Sequence, residues 1–246
     1  MSERQDVDEV LQDWPYKPGV ISARLVPAAD GREVMQMRIE MGLLQMEISG
    51  RPDGEKPHGA ETCLDWLIGE ALVAGDEFAL TEDQSFEIDR EFLQYYHRRI
   101  CFLALRKFDV AVSDADHTLE LMDFVATHSP DPEWTDMHER YRPFVLFHRA
   151  QAAAMDVLEK AGPTEAIEQI DDGLKKIRKV FEDRDTPEEF DDDELVGQLV
   201  ELKKSLRDRF EVGSTLGEQL ADAVAAEEYE RAAKLRDQIA KRDGPA

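Results

Sequence analysis

The side chains in this chain that could do chemistry are its histidines and cysteines. His97 and Cys101 are four residues apart, so a helix would place both on one face, where they could bind the same metal ion. Two ligands do not complete a site, and the sequence contains no HExxH or CxxC arrangement that would supply the others. We therefore predict no metal site and no bound cofactor.

A second candidate is the glycine- and proline-rich loop that follows residue 48. Gly54 and Gly59 have the spacing of the glycines in a phosphate-binding GxxxxGK[ST] loop, but Ala60 and Glu61 stand where the lysine and the hydroxyl residue belong. A glutamate there would repel a phosphate. GxSxG and dinucleotide-binding glycine motifs are also missing from the sequence. We predict that the chain is not an enzyme; the alternative is an unrecognised enzyme whose site assembles from scattered carboxylates.

Composition and charge exclude several classes of partner. The 246 residues include 55 acidic and 30 basic side chains, a net charge of −25, and such a surface repels the backbone of nucleic acids. No apolar run in the sequence approaches the roughly 20 residues that a membrane span needs. The start of the chain is acidic, whereas an export signal would begin with basic residues. We expect a cytoplasmic protein with two buried, reduced thiols, no membrane contact and no direct nucleic-acid binding.

The first 80 residues predict an arm followed by a small sheet. Residues 1–19 are charged and show no period, so they read as a loosely ordered arm that Trp14 and Tyr16 could pin. In residues 20–48, apolar side chains alternate with polar ones, and Asp30-Gly31 suits a hairpin turn. The apolar parity changes after Gly42, which indicates a bulge or bend. These strands would form an antiparallel three-stranded sheet, with Ile21, Ala23, Leu25, Met35, Met37, Ile39 and Met41 among its apolar positions.

A short helix is expected to complete this segment, which spans residues 20–80. Leu64, Leu67 and Leu72 recur at helical spacing, and Gly75 can end the helix. We predict that this helix covers one face of the sheet, because a bare three-stranded sheet would expose its methionines.

Residues 81–181 predict a helical bundle. Thr81 and Gln84 have the spacing of a capping box at the start of the first long helix. Pro143 predicts a kink or break in the third helix, and Gly162-Pro163 separates the third from the fourth. The helices are expected to form antiparallel pairs. The predicted apolar face of the first one carries Leu93, Tyr96, Ile100, Leu103 and Ala104.

The two helical pairs are weakly similar to each other. The segment 108–111 aligns with 163–166, and Leu119 then aligns with Leu174. The Phe-Asp-x-Ala pattern at 108–111, followed by Ala115 and Leu119, is similar to the second helix of a tetratricopeptide repeat, over residues 88–181. Any antiparallel bundle could give the same pattern, so both interpretations stay open.

The chain between the bundle and the C terminus is strongly acidic. Residues 182–194 contain nine acidic side chains and one basic side chain, and such a run repels itself, which predicts an extended linker. Residues 195–213 then predict a connecting helix. The fold class is thus α+β and predominantly α-helical, with a small N-terminal antiparallel sheet, antiparallel helical pairs and a C-terminal helical hairpin.

The C-terminal segment 214–243 predicts that hairpin. Thr215 and Glu218 form a second capping box, and an apolar stripe follows on each of two helices. Two helices of about a dozen residues each are marginally stable alone, so their apolar face needs a partner. The partner could be a second copy of the hairpin, another protein or the rest of this chain.

Residues 215–242 resemble the UVR motif of the bacterial excision-nuclease subunits UvrB and UvrC. The segment 228–237, with Tyr229, the pair Ala232-Ala233 and the triplet Leu235-Arg236-Asp237, carries the resemblance. The resemblance implies a hairpin that mediates contacts between proteins. Tyr229, Ala232 and Leu235 would supply its apolar contact, and Arg231, Arg236 and Asp237 its polar orientation. The predicted partner-binding residues are Leu220, Val224, Tyr229, Arg231, Ala232, Leu235, Arg236, Asp237 and Ile239.

These observations together predict a non-catalytic adaptor that docks on another protein through its C-terminal hairpin. An accessory protein of nucleotide excision repair, recruited by pairing of UVR motifs, is the alternative. The remaining chain does not resemble the helicase or nuclease parts of the repair proteins.

Overall fold

The computed structural model describes residues 7–243, and this part of the chain contains ten α-helices and three strands. This confirms the predicted α+β, mainly helical fold class. The described residues form two compact units, unit 1 up to residue 152 and unit 2 from residue 153, and the division falls within the sixth helix. The elements are α1 (Asp8–Asp13), β1 (Ser22–Pro27), β2 (Glu33–Ile39), β3 (Gly42–Glu47), α2 (Cys63–Ala74), α3 (Glu82–Ala104), α4 (Phe108–His128), α5 (Pro132–Glu139), α6 (Arg142–Lys160), α7 (Pro163–Asp183), α8 (Glu194–Phe210), α9 (Leu216–Ala225) and α10 (Tyr229–Asp243).

The N-terminal arm contacts the sheet through Trp14. The guanidinium of Arg24 lies over the Trp14 ring, 4.2 Å from its centroid. Arg38 Nε donates a hydrogen bond to the Trp14 carbonyl at 2.8 Å. Residues 1–6 of the predicted arm lie outside the described residues. Within the described part of the arm, Trp14 therefore has defined contacts with β1 and β2.

The three strands pair in the order β1-β2-β3, all antiparallel, as predicted. The turn at Asp30-Gly31 is also confirmed, with Gly31 at a φ of 88°. The change of parity at Gly42, which was predicted to mark a bulge or bend, comes from a tight turn between β2 and β3. Ile39 pairs with Gly42, so Glu40 and Met41 form a two-residue turn. Met41 was predicted in a strand, but it lies in this turn and is 91% exposed.

The methionine face of the sheet packs against α3 and α4. Met35, Met37 and Met46 share one buried cluster with Ile100 to Phe102 of α3 and with Ala111 of α4. The prediction that the short helix α2 covers the sheet is therefore wrong. α2 instead contributes to a second cluster with α3 and α4. The reason is length, because the 23 residues of α3 extend about 35 Å and contact both the sheet and α2.

The buried face of α3 differs from the predicted one. Leu93 and Ala104 are exposed, whereas Glu91, Arg98 and Arg99 are buried. Each of these charged side chains has partners within unit 1, which removes most of the cost of burying it. An apolar pattern alone could not identify this face.

Local signals placed two helix boundaries in unit 1 correctly. The capping box of Thr81 and Gln84 is present at the start of α3. The predicted break at Pro143 occurs between α5, which ends at Glu139, and α6, which begins at Arg142. The similarity between the two helical pairs stays a prediction.

Unit 2 contains α7 and α8, which pack together, and the acidic segment between them. This segment was predicted to stay extended, but Pro187–Asp192 forms a 3-10 helix. Phe190 is buried there, with its ring edge-on to Phe181 at 6.0 Å and with the Arg178 guanidinium 3.9 Å from its ring centroid. The Phe190 side chain thus anchors the acidic segment to α7. Asp193 accepts hydrogen bonds from two backbone amides at the start of α8, so part of the acidity caps a helix.

Candidate functional site

The C-terminal hairpin begins with the capping box that its sequence predicts. The Thr215 hydroxyl accepts a hydrogen bond from the Glu218 amide at 3.2 Å, and the Glu218 carboxylate accepts one from the Thr215 amide at 2.9 Å. These bonds satisfy two backbone donors that the first turn of α9 would otherwise leave without partners. The start of α9 is therefore fixed by local sequence.

A short turn joins the two helices. The Glu228 amide donates to the Ala223 carbonyl at 2.8 Å, and the Glu227 amide donates to the Val224 carbonyl at 3.1 Å. Glu227 has a φ of 59°, in the left-handed region where glycine is favoured. The turn positions Val224 and Tyr229 on either side of it, at the tip of the hairpin.

The interior of the hairpin is formed by small and branched apolar side chains. Ala223, Ala232 and Leu235 are buried in one cluster, against which Leu216 and Leu220 pack. The alanines let α9 and α10 approach closely. Ala232 and Leu235, which were predicted to contact a partner, thus contact the other helix of their own hairpin.

The exposed surface of the hairpin carries the other predicted residues. Tyr229 is 68% exposed and Val224 is 53% exposed. Arg231 pairs with Glu228 at 2.9 Å, and Arg236 pairs with Asp237 at 2.9 Å, with all four charged side chains at least half exposed. We call Val224 and Tyr229, together with the charged side chains of Arg231, Arg236 and Asp237, the outer surface of the hairpin.

The hairpin is held to the rest of unit 2 by ion pairs. The Glu218 carboxylate of α9 lies 2.6 Å from Lys203 Nζ and 2.6 Å from Arg207 Nη2, both on α8. Arg242 of α10 lies 2.8 Å from the carboxylate of Glu168 on α7. Each helix of the hairpin therefore has an electrostatic contact with a neighbouring helix.

These contacts change the acidity of Glu218. Burial by itself would raise the pKa of its carboxyl group. Hydrogen bonds from Arg207, from Lys203 and from the Thr215 amide outweigh burial and lower that pKa to about 2. Burial would lower the pKa of Lys203, but its bonds to Asp171 and Glu218 outweigh that effect and raise it. Both charges are consequently stabilised in the folded protein. The sequence indicated the capping role of Glu218 but gave no signal for its two cationic partners on α8.

A cleft lies within unit 2, between the hairpin and the helices α7 and α8. Its volume is about 1070 Å³. Leu220 and Ile239, the two remaining predicted residues, line it and are partly exposed. The predicted set therefore divides among the hairpin interior, the outer surface and this cleft.

Unit 1 contains a buried cluster of titratable groups around Glu91. The buried carboxylate of Glu91 accepts hydrogen bonds from the amides of Cys63 at 2.6 Å and Leu64 at 3.2 Å, and it lies 2.9 Å from His117 Nε2. Arg51 lies 3.8 Å from the same carboxylate. Burial, assisted by the charge of Glu91, raises the pKa of the Cys63 thiol to about 12. A thiol that stays protonated is a poor nucleophile, so this cluster is suited to holding α2 against α3 and α4.

His97 and Cys101, which could have bound one metal ion, lie in different surroundings. His97 is half-buried, and burial lowers its pKa, whereas Cys101 is fully buried in the cluster beneath the sheet. Within residues 7–243, no group of three or more His, Cys, Asp or Glu side chains is placed to hold a metal ion. In the same described range, none of the helices combines the length and apolar character that crossing a bilayer requires.

Comparison with known families agrees with the hairpin geometry. The family model described as the UvrB/uvrC motif matches residues 214–241. Comparison with curated proteins and with solved structures gave no match. The matched residues begin just before the Thr215 cap and end within α10, so they coincide with the hairpin. The C-terminal hairpin of this chain carries a UVR motif.

Proposed function

We propose that this protein is a non-catalytic adaptor that docks on another protein through the outer surface of its UVR hairpin. The observation that carries the proposal is the exposure of Tyr229 and Val224 beside a hairpin interior that Ala223, Ala232 and Leu235 already fill. Exposed aromatic side chains are enriched where proteins bind one another. Tyr229 is therefore assigned as the central contact.

The exposed charged side chains of α10, the helix that begins at Tyr229, would orient the partner. Arg231, Arg236 and Asp237 are exposed and, within the part of the chain that the structure describes, their side chains pair with neighbouring residues of the same helix or turn. Exposed ion pairs of this kind contribute little to stability. Breaking these pairs to form new ion pairs with a partner therefore costs little free energy. Such contacts contribute more to the specificity of binding than to its affinity.

Two observations support the non-catalytic part of the proposal. In unit 1, the buried carboxylate of Glu91 is occupied by backbone amides and by His117. Cys63 and Cys101 are both free and buried, and burial raises the pKa of each thiol to about 12. Free thiols also agree with a cytoplasmic location, which is part of the proposal.

The description of the matching family favours a second candidate function. UvrB and UvrC give the motif its name, so the partner could be an excision-nuclease subunit that carries the same motif. In that case the protein would be an accessory of nucleotide excision repair. Its charge of −25 opposes direct contact with DNA, so recruitment would run through the protein partner.

Affinity capture followed by a binding measurement tests both candidates. The full chain, a Tyr229→Asp variant and a Tyr141→Asp variant would each be used as bait. Tyr141 is a matched control because it is also an exposed tyrosine but lies in unit 1. The partner captured by the wild-type chain would be purified and its dissociation constant measured for all three baits.

We expect Tyr229→Asp to weaken binding by at least about tenfold, because a charge at the centre of an apolar contact costs more than 1.4 kcal/mol. Tyr141→Asp should bind as the wild type does. Capture of UvrB or UvrC by the wild type would favour the repair candidate. A partner that binds all three baits equally would contradict both candidates, and cooperative unfolding of the Tyr229→Asp chain would show that Tyr229 belongs to the core.

A further inference from the structure

We propose that the cleft between the hairpin and helices α7 and α8 is a second docking site, one that takes a basic amphipathic helix of a partner protein. This site is separate from the outer surface of the hairpin, because Tyr229 and Val224 do not line it. The adaptor would then hold two polypeptides at once.

The apolar lining of the cleft suits the apolar side of a helix. The volume of the cleft is about 1070 Å³. Three helices each contribute an apolar side chain to the floor of the cleft, namely Leu174 of α7, Val200 of α8 and Ile239 of α10. Val200 is 46% exposed, which is a large fraction for a branched apolar side chain on a helix. A floor of this kind accepts the apolar side of a helix, with anchors at positions i, i+3 or i+4, and i+7.

Charge selects the kind of helix. Six acidic and three basic side chains line the cleft. Five of the six acids form ion pairs, and two of these five pair with Lys203 or Arg207 of α8, so the lining itself is close to neutral and the excess negative charge lies at its border. Phe190 and Asp191 belong to its wall, so the acidic 3-10 helix at 187–192 borders it and adds the exposed carboxylates of Glu188, Glu189 and Asp192. The surrounding potential is therefore negative and attracts a basic segment. The lining charges are Glu165, Glu168, Asp171, Asp172, Asp191 and Glu218, against Lys175, Arg178 and Arg242.

The same charge argues against a second copy of this chain as the occupant. Each copy carries a net charge of −25, so two copies repel each other before any contact forms. A partner whose docking helix presents lysines and arginines beside its apolar anchors avoids this repulsion. The occupant is thus assigned to a different protein.

A displayed library of random peptides tests the proposal with the full chain as bait. The peptides would be about 18 residues long, enough for five helical turns. We expect enrichment of peptides that combine apolar residues at helical spacing with several lysines or arginines. Their binding should weaken as salt is added, because the attraction is partly electrostatic.

Two substitutions of the same type locate the site. Val200→Lys places a positive charge on the floor of the cleft, whereas Val224→Lys places one on the outer surface of the hairpin. We expect Val200→Lys to weaken the selected peptides by about tenfold or more, a loss of at least 1.4 kcal/mol, and Val224→Lys to leave them unchanged. Asp172→Lys, at an exposed position on the rim, should also weaken binding and cannot disturb the core.

Four outcomes would overturn the proposal. They are the enrichment of no peptide, the enrichment of acidic or neutral peptides, binding that is equal in wild type, Val200→Lys and Asp172→Lys, and a dimer of the chain that Val200→Lys dissociates. The last outcome would assign the cleft to self-association. Failure here leaves the hairpin proposal standing, because Tyr229→Asp tests the outer surface independently.

Discussion

The guanidinium of Arg98 donates two hydrogen bonds to the carboxylate of Asp114, from Nε to Oδ2 at 3.0 Å and from Nη2 to Oδ1 at 2.7 Å. Both side chains are buried, and the pair joins α3 to α4. Arg98 also donates to the carbonyls of Glu47 at 3.2 Å and Gly50 at 2.7 Å. One side chain therefore connects the end of the sheet to two helices.

Loss of this pair should destabilise unit 1. We expect Asp114→Asn to lower the free energy of unfolding by about 3 kcal/mol, because it leaves the buried Arg98 without a balancing charge. Urea denaturation measures the change. Asp123→Asn is the control on the same helix, since Asp123 pairs with Arg142 at an exposed position and should cost less than about 1 kcal/mol. Equal effects of the two substitutions would contradict this account.

His148 should make the stability of unit 1 depend on pH. Its Nδ1 atom accepts a hydrogen bond from Arg99 Nε at 3.3 Å. Burial, assisted by the charge of Arg99, lowers the pKa of His148 from 6.5 to about 3. The unfolded chain therefore binds a proton between these values that the folded chain does not, and stability falls as the pH decreases below 6.5.

The His148→Gln variant removes this titration and keeps a hydrogen-bond acceptor. Between pH 7.5 and pH 5, we expect the wild type to lose about 2 kcal/mol more stability than the variant. Urea denaturation at several pH values measures both slopes. Parallel slopes would contradict this account, because they would show that folding does not change the pKa of His148.

Glu218 should stabilise the hairpin at neutral pH. Glu218→Gln removes the negative charge that Lys203 and Arg207 contact, and we expect it to lower the free energy of local opening of α9 by about 1–2 kcal/mol. Hydrogen exchange of the amides in α9 measures this opening. Glu228→Gln is the control, because Glu228 pairs only with the exposed Arg231.

The pH dependence of this effect has a defined sign. The pKa of Glu218 is lowered from 4.5 to about 2, so its contribution is complete above pH 4.5 and is lost as the pH falls toward 2. The difference between wild type and Glu218→Gln should therefore shrink below pH 4.5. A difference that stays constant from pH 6 to pH 3 would contradict the role of the carboxylate.

The order of the acidic segment should depend on the buried side chain of Phe190. Phe190→Ala removes the ring that contacts Phe181 and Arg178, and we expect a loss of about 3 kcal/mol in the stability of this segment. A glutamate-specific protease would then cleave after Glu188 and Glu189 much faster than in the wild type. Phe210→Ala, at a partly exposed position at the end of α8, should leave cleavage unchanged. Rapid cleavage of the wild type would show that the segment is open despite Phe190.

Local sequence signals predicted the helix starts and turns in both units. Thr81 and Thr215 each begin a capping box, and the Asp30-Gly31 turn forms where it was predicted. These features depend on residues that are close in sequence, so their spacing carries the information. The UVR hairpin was recognised for the same reason, because its turn and interior lie within one short segment.

Contacts between distant residues were not predictable from spacing. The charges of Glu91, Arg98 and Arg99 suggested solvent exposure, yet partners up to 51 residues away in the sequence let them be buried. The acidic segment was read by its average charge, which concealed the single buried ring of Phe190. Likewise, Ala232 and Leu235 would be apolar whether they contacted a partner or packed inside the hairpin, and only the structure places them inside the hairpin.

The protection of Cys63 and Cys101 has a practical consequence. The thiolate is the form of cysteine that attacks an alkylating reagent, and neither thiol ionises in the folded chain at neutral pH because burial raises the pKa of each to about 12. The rate of alkylation would therefore report how often the interior of unit 1 opens to solvent. The two native cysteines therefore allow these opening events to be measured without introducing a cysteine by mutation.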